Sequence, residues 1–126
     1  MGDLNPKTVS TKQKGDAGEA LALAHLRAHG LRLLERNYRT PGRGGGEIDL
    51  IMRDADGTLV FVEVRQRSRS DHGGAAASIG LVKRRRIVWA ARHYLMRWPQ
   101  TPPCRFDVVV VEPTGMQWIP AAFDAM

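Results

Sequence analysis

Gly46-Glu47-Ile48-Asp49-Leu50-Ile51-Met52, Asp54-Ala55-Asp56-Gly57 and Thr58-Leu59-Val60-Phe61-Val62-Glu63-Val64-Arg65-Gln66 decide how this chain folds. The outer two runs alternate and are rich in β-branched and aromatic residues. The middle run is a turn sequence. A three-residue loop of Ala55, Asp56 and Gly57, with Gly57 left-handed, makes Asp54 face Thr58. That register sets Asp49 opposite Glu63, Ile51 opposite Phe61 and Glu47 opposite Arg65. It also predicts one apolar face, with Ile48, Leu50 and Met52 against Val60, Val62 and Val64. Directly opposed residues share a face, with Cβ atoms roughly 4.5–5.5 Å apart. Two opposed carboxylates cost stability unless a cation, a proton or a basic group joins them. Such a local conflict is where a functional site is expected.

Outward from this hairpin, residues 1–11 read as a polar arm and 12–126 as one domain of ordinary globular composition. A helix is predicted from Lys12 to His29, stopped by Gly30. Ala17, Ala20, Leu21, Ala24 and Ala28 form a small-residue stripe suited to packing on a sheet. Glu19 heads a neighbouring stripe with Leu23 and Leu26. It reads either as an acid complementing the helix dipole or as part of a site. Leu31–Arg39 reads as a strand. Thr40–Gly46 holds four glycines and reads either as an active-site loop or as a plain connector. A loop over 66–77 precedes a second helix from Ser78 to Arg97, with Leu81, Val88, Ala91 and Leu95 on one face. Arg105–Glu112, with Val108-Val109-Val110-Val111, reads as a buried central strand, and Met116–Ile119 as a short edge strand. The class is α/β: an αβββαβ order with a mixed four- or five-stranded sheet flanked by helices.

The net charge of +6 is unevenly spread. Residues 1–64 hold nine basic and nine acidic residues, while 65–97 hold nine basic residues against Asp71 alone. That segment suits a polyanion, nucleic acid first, or else is a solvated basic face. Its candidate contacts are Arg67, Arg69, Lys83, Arg84, Arg85 and Arg86. Four cations in the first turns of a helix act against its dipole, which weakens a purely structural role. One cysteine, Cys104, excludes an internal disulfide and a cysteine zinc site, and it reads as a packing residue. The polar N-terminus and the absence of a long apolar run point to a cytoplasmic protein with no membrane partner. His25 and His29 read as a solvated helix face, and Trp89, Trp98 and Trp118 as core.

Asp49 and Glu63, with Glu19 nearby, offer hard oxygen ligands for Mg²⁺ or Mn²⁺. Arg65 shares the strand face and is placed to stabilise charge on a phosphate. The same acids can instead be salt-bridged to arginines and inert.

The spacing of Asp49, thirteen residues and then Glu63-Val64-Arg65 resembles the D…(D/E)-x-K signature of the restriction-endonuclease-like superfamily. Taken with Gly18-Glu19-Ala20, the Gly46–Ile51 and Phe61–Arg65 strands and Arg105-Phe106-Asp107, the chain resembles the YraN family over about residues 15 to 120. Those small bacterial proteins are described as endonuclease-like and similar to archaeal Holliday-junction resolvases. The resemblance implies a restriction-endonuclease-like αβββαβ core, and Glu19, Asp49 and Glu63 as acidic metal-site residues. One departure is clear: Arg65 stands where the signature has lysine. Arginine stays charged and cannot act as a base, whereas lysine can. Lys83 is the candidate to supply an ammonium instead. The expectation is a metal-dependent endonuclease-like protein hydrolysing phosphodiesters in DNA, branched or junction DNA included. Junction cleavage would call for a homodimer. The alternatives are a non-catalytic nucleic-acid-binding module of the same fold and a small interaction protein.

Overall fold

The computed structural model describes residues 11–42, 44–67 and 79–125. Residues 1–10 of the polar arm, and Arg69 within the 66–77 loop, lie outside that set. Helix α1 runs Thr11–Ala28, followed by β1 Arg32–Arg39, β2 Glu47–Arg53 and β3 Leu59–Gln66. Helix α2 is Leu81–Leu95, and β4 Cys104–Glu112 and β5 Gly115–Phe123 close the chain. The five strands form one sheet in sequence order, with β3 and β4 parallel and every other pair antiparallel. This is the expected mixed α/β architecture. The parallel pair follows from topology, because β3 reaches β4 through the α2 crossover rather than a hairpin.

The hairpin forms in the expected register. Leu50 pairs with Val62, Ile51 with Phe61, Met52 with Val60 and Arg53 with Leu59. Asp54 N–H donates to the Thr58 carbonyl at 2.9 Å, and Gly57 takes φ +90°. The pairing then stops at Leu50↔Val62, so Glu47 never reaches Arg65. Glu47 pairs instead with Arg39 of β1, at 2.6 Å between the charged groups. Nor does Ile48 share a face with Leu50 and Met52. Ile48 packs with Ile51, Phe61 and the α2 residues Ile87, Ala90 and Ala91. Leu50 and Met52 pack with Val60, Val62 and the α1 residues Ala22, Leu23 and Leu26. The period-2 alternation therefore breaks at Asp49.

Helix α1 ends in a Schellman motif. Leu31 N–H donates to the Leu26 carbonyl and Gly30 N–H to that of Arg27, with Gly30 at φ +93°. The face it buries differs from the small-residue stripe. Gly18, Ala22, Leu23 and Leu26 are buried, whereas Ala17, Ala20, Leu21, Ala24 and Ala28 are exposed. Two leucines remove more apolar area from water than a row of alanines, so they set the rotation of the helix. Glu19 turns inward with them.

Helix α2 is shorter than expected at both ends. Ile87, Val88, Ala90, Ala91 and Tyr94 face the sheet, while Leu81 is 58% exposed. Gly46 explains how α2 sits so close. A Cβ at Gly46 would lie 1.9 Å from the Arg86 carbonyl oxygen and 3.0 Å from Ala90 Cβ. The glycine loop is also closed on itself, since Gly46 N–H donates to Thr40 Oγ1 at 2.7 Å. Its last glycine thus serves close packing against α2.

Strand β4 is buried as expected, with β3 on one side and β5 on the other. Strand β5 is an edge strand as expected, but nine residues long rather than short. Asp107, fully buried, explains the extra length. It accepts from Arg105 Nε at 3.0 and 3.2 Å, from Trp118 Nε1 at 3.0 Å and from Ala121 N–H at 2.9 Å. Arg105 Nη1 also donates to Asp54 at 3.1 Å. One carboxylate thereby fastens β5, including Ala121 at φ +50°, across the register shift between Phe106 and Val108. Cys104 is exposed rather than a packing residue.

Replacing Gly46 by alanine should destabilise the fold by about 1–3 kcal/mol, because backbone rather than a flexible side chain fills the space. Gly15, within α1 and with open space around it, should gain roughly 0.5–1 kcal/mol on replacement by alanine. Urea unfolding of the two variants checks the pair. Equal stabilities would contradict the close approach of α2.

Candidate metal and phosphodiester site

The site lies where β2 leaves β3. Beyond Leu50↔Val62 the ladder lacks a pair, and the Asp49 side chain takes its place: Asp49 Oδ2 accepts from Val64 N–H at 2.8 Å. The adjacent residue, Glu63, is 8% exposed. Its carboxylate interacts with that of Asp49 and stands 3.4 Å from Lys83 Nζ on α2. Burial pushes the Asp49 carboxyl up to about 7, and the Glu63 charge adds to the shift. The Val64 hydrogen bond and the Lys83 ammonium act in the opposite direction. These two acids therefore meet as the hairpin register requires, at a fork rather than within a regular ladder.

Glu19 reaches the same region from α1. Its carboxyl is raised by burial and then by the Asp49 charge, and lowered by Arg36 and Asn37. Arg36 Nη2 lies 3.6 Å from Glu19. The Asn37 amide, turned so that both its ends are satisfied, donates to the two Glu19 oxygens at 3.1 and 3.3 Å. The β1–β2 register sets Asn37 across from Asp49, and Asn37 takes φ +51°. Asparagine tolerates that left-handed conformation better than most residues, which makes it a fitting choice there. Arg36 and Asn37 went unnoticed in the sequence, where only an asparagine in mid-strand hinted at an irregular position.

Two clefts meet at Lys83. One, of about 370 Å³, is lined by Glu63, Val64, Arg65, Gln66, Ile79, Gly80 and Lys83. The other, of about 360 Å³, is lined by Lys83, Arg86, Arg39, Glu47, Thr40, Gly42, Gly45 and Gly46. Arg65 thus opens onto the same cleft as Glu63. The remaining expected nucleic-acid residues divide. Arg85 and Arg86 are exposed on α2. Arg84 folds back, donating from Nε to the Ile79 carbonyl at 2.9 Å, with its guanidinium 5.6 Å from the Phe123 ring centre. Arg67 is half-buried, and its N–H donates to the Val111 carbonyl at 2.8 Å. Lys83 and Arg84 turning to acceptors explains how four cations coexist at an uncapped helix start.

One of the three tryptophans expected in the core is placed differently. Trp89 is 61% exposed. His29 is exposed and His25 half-buried, in keeping with a solvated helix face; their rings are tilted to one another at 4.5 Å and lie edgewise to Trp118, at 6.1 and 5.5 Å.

The donor chemistry suits a small hard cation. Mg²⁺ typically takes one or two carboxylates and completes its shell with water and substrate phosphate. Asp49 and Glu63 supply such a pair. Among the described residues, no three His, Cys, Asp or Glu side chains close on a common point. Glu19, already bonded by Arg36 and Asn37, interacts with Asp49 through its charge.

The proton at Asp49 gives this site a pH signature. Its carboxyl titrates higher in the folded chain than its ordinary 3.8, so the folded state holds that proton more tightly. The stability it contributes is complete below about pH 4 and is lost as pH rises through about 7. In metal-free buffer the thermal midpoint should therefore fall across that window. Asp49→Asn should flatten the fall and raise the midpoint above the window. A parent and variant with parallel profiles would contradict the buried acid pair.

Residues 18–111 match the model of the uncharacterised protein family UPF0102. A UPF0102 protein of Paracidovorax citrulli is 64% identical, covering 99% of both chains. One from Albidiferax ferrireducens is 68% identical over 97% of this chain and 95% of its own. One from an Acidovorax species is 66% identical over 92% of this chain and 88% of its own. With most of its length matched by the family model and by close relatives, this chain belongs to the UPF0102 family.

Proposed function

We propose that this protein is a metal-dependent phosphodiesterase acting on nucleic acid, with DNA as the substrate. The observation that carries the proposal is the convergence of Asp49, Glu63 and Lys83 at the strand fork, with Lys83 Nζ 3.4 Å from Glu63. An ammonium beside two carboxylates, next to Arg65 in an open cleft, is the set a phosphoryl transfer needs.

Asp49 and Glu63 would hold Mg²⁺ or Mn²⁺. When bound, the ion supplies a polarised phosphoryl oxygen and a more acidic water. Lys83 takes the role that arginine in the signature position cannot fill. Both cations can hold a water by hydrogen bond, but a lysine can also give up and take back a proton, which a guanidinium cannot. Arg65 stabilises negative charge on the phosphate. Glu19, tied by Arg36 and Asn37, adds a negative charge behind Asp49 that favours a cation in front of it. Arg39 and Arg86, lining the cleft on the other side of Lys83, would take neighbouring phosphates of the strand. No helix of the described residues is long and apolar enough to cross a membrane.

The second reading, a nucleic-acid-binding module without turnover, is favoured by Arg65 in the lysine position. Single-turnover cleavage of linear, nicked, flapped and four-way DNA with Mg²⁺ or Mn²⁺ separates the two. Glu63→Ala should abolish cleavage. Lys83→Ala should lower it by about 10²–10⁴-fold, the range of a positioned proton-transfer group. Arg65→Ala should cost roughly 2.7–4 kcal/mol of transition-state stabilisation, and Arg65→Lys should keep or raise activity. A parent inert with both metals, and an equally inert Arg65→Lys variant, would leave the binding module in place of the enzyme.

A further inference from the structure

The outward face of α2 carries an apolar pattern that neither the fold nor the acid site uses. Val82, Trp89 and Met96 follow one another at seven-residue spacing and are 69, 61 and 78% exposed. Seven residues are two helical turns, so the three side chains line up along one face. Arg85, Arg86 and Arg92 stand between them, all exposed, and α2 contains no acidic residue. Apolar and cationic groups therefore alternate along a single exposed stripe. The stripe begins one residue before Lys83, which pairs with Glu63.

We propose that this face binds single-stranded nucleic acid, with Trp89 stacking on an unpaired base and the three arginines on the phosphates. The inference rests on the nucleic-acid part of the proposed function and names its substrate class: strands with unpaired bases, as in flaps, gaps and single-stranded ends. A duplex satisfies the arginines but hides its base faces, leaving a 61% exposed indole in water. An unpaired strand offers both phosphates and base faces, and stacking on an aromatic ring is tolerant of sequence. A second copy of this chain is the poorer occupant. An isologous contact across the stripe would bring Arg85, Arg86 and Arg92 against the same cations of the other copy. The rise of about 1.5 Å per residue puts Trp89 roughly 9 Å along the helix from Lys83. A strand stacked on Trp89 can thus extend past Arg86 into the cleft that Lys83 shares with the acids.

The test is equilibrium binding of labelled oligo(dT), a matched duplex and the same duplex with a single-stranded flap, in EDTA so that nothing is cleaved. Trp89→Ala should weaken oligo(dT) and flap binding by about 5- to 100-fold and duplex binding by less than about twofold, and Trp89→Phe should retain most of the affinity. Arg85→Gln with Arg92→Gln should weaken both substrates and flatten the salt dependence on single strands, by about 0.7 in log–log slope for each phosphate no longer neutralised. Trp89 faces solvent, so an unchanged thermal midpoint verifies that the variant is folded. The proposal is overturned if Trp89→Ala leaves oligo(dT) binding unchanged, or weakens duplex equally. It is also overturned if sedimentation shows the variant losing a dimer while nucleic-acid binding persists, which would assign the face to pairing between copies. Selective binding without any metal-dependent cleavage would remove the nuclease and leave this inference standing. Cleavage that is indifferent to Trp89 would do the reverse.

Discussion

The hydrogen bond from Val64 N–H to the Asp49 carboxylate is the constraint on which the site depends. A ladder of backbone bonds holds β2 to β3 up to Leu50, and a side chain takes over at the next step. That substitution lets the strands part without orphaning a buried N–H, which would cost about 1–3 kcal/mol. The parting turns Ile48 to the α2 side of the sheet, makes room for Glu63 beside Asp49, and lets α2 bring Lys83 across. A regular hairpin would have placed Glu47 against Arg65 and left the acid pair on a flat strand face.

The rest of the molecule supports the fork from both faces. On one side α1 buries Leu23 and Leu26 and so delivers Glu19, which Arg36 and Asn37 then hold. On the other, Gly46 allows the backbone of α2 to approach at Arg86. A third fastening is remote: Asp107 ties Arg105, Trp118 and Ala121 together, and through Arg105 reaches Asp54 in the hairpin turn. The turn that sets the register and the strand that covers β4 are therefore joined by one buried carboxylate.

Charge placement follows the same logic. Of the four successive cations opening α2, Lys83 faces Glu63 and Arg84 donates to the Ile79 carbonyl, while Arg85 and Arg86 are exposed. A cluster that reads as merely basic divides into one residue for the acid pair, one for the helix start and two for solvent or a polyanion. At the far end of the helix Arg97 covers the Tyr94 ring at 3.8 Å, and Tyr38 hydrogen-bonds to His93, closing β1 onto α2.

What the sequence by itself determined is local. The Ala55-Asp56-Gly57 loop, the alternation of β3 and the Gly30 stop were legible because turn chemistry and the period of two act within a few residues. That local register was enough to pair Asp49 with Glu63, and the order of the elements was enough for the α/β class. What only the tertiary structure decided depends on the volume and shape of distant partners. The rotation of α1, which buries leucines and exposes the alanine stripe, is a competition for sheet area that no helical wheel resolves. The break at Asp49, the pairing of Lys83 with Glu63, the bonded Asn37 and the outward Trp89 arise the same way. Each is fixed by which face of a helix the sheet accepts, and that choice is made by packing between segments distant in the chain rather than by the residue's own propensity.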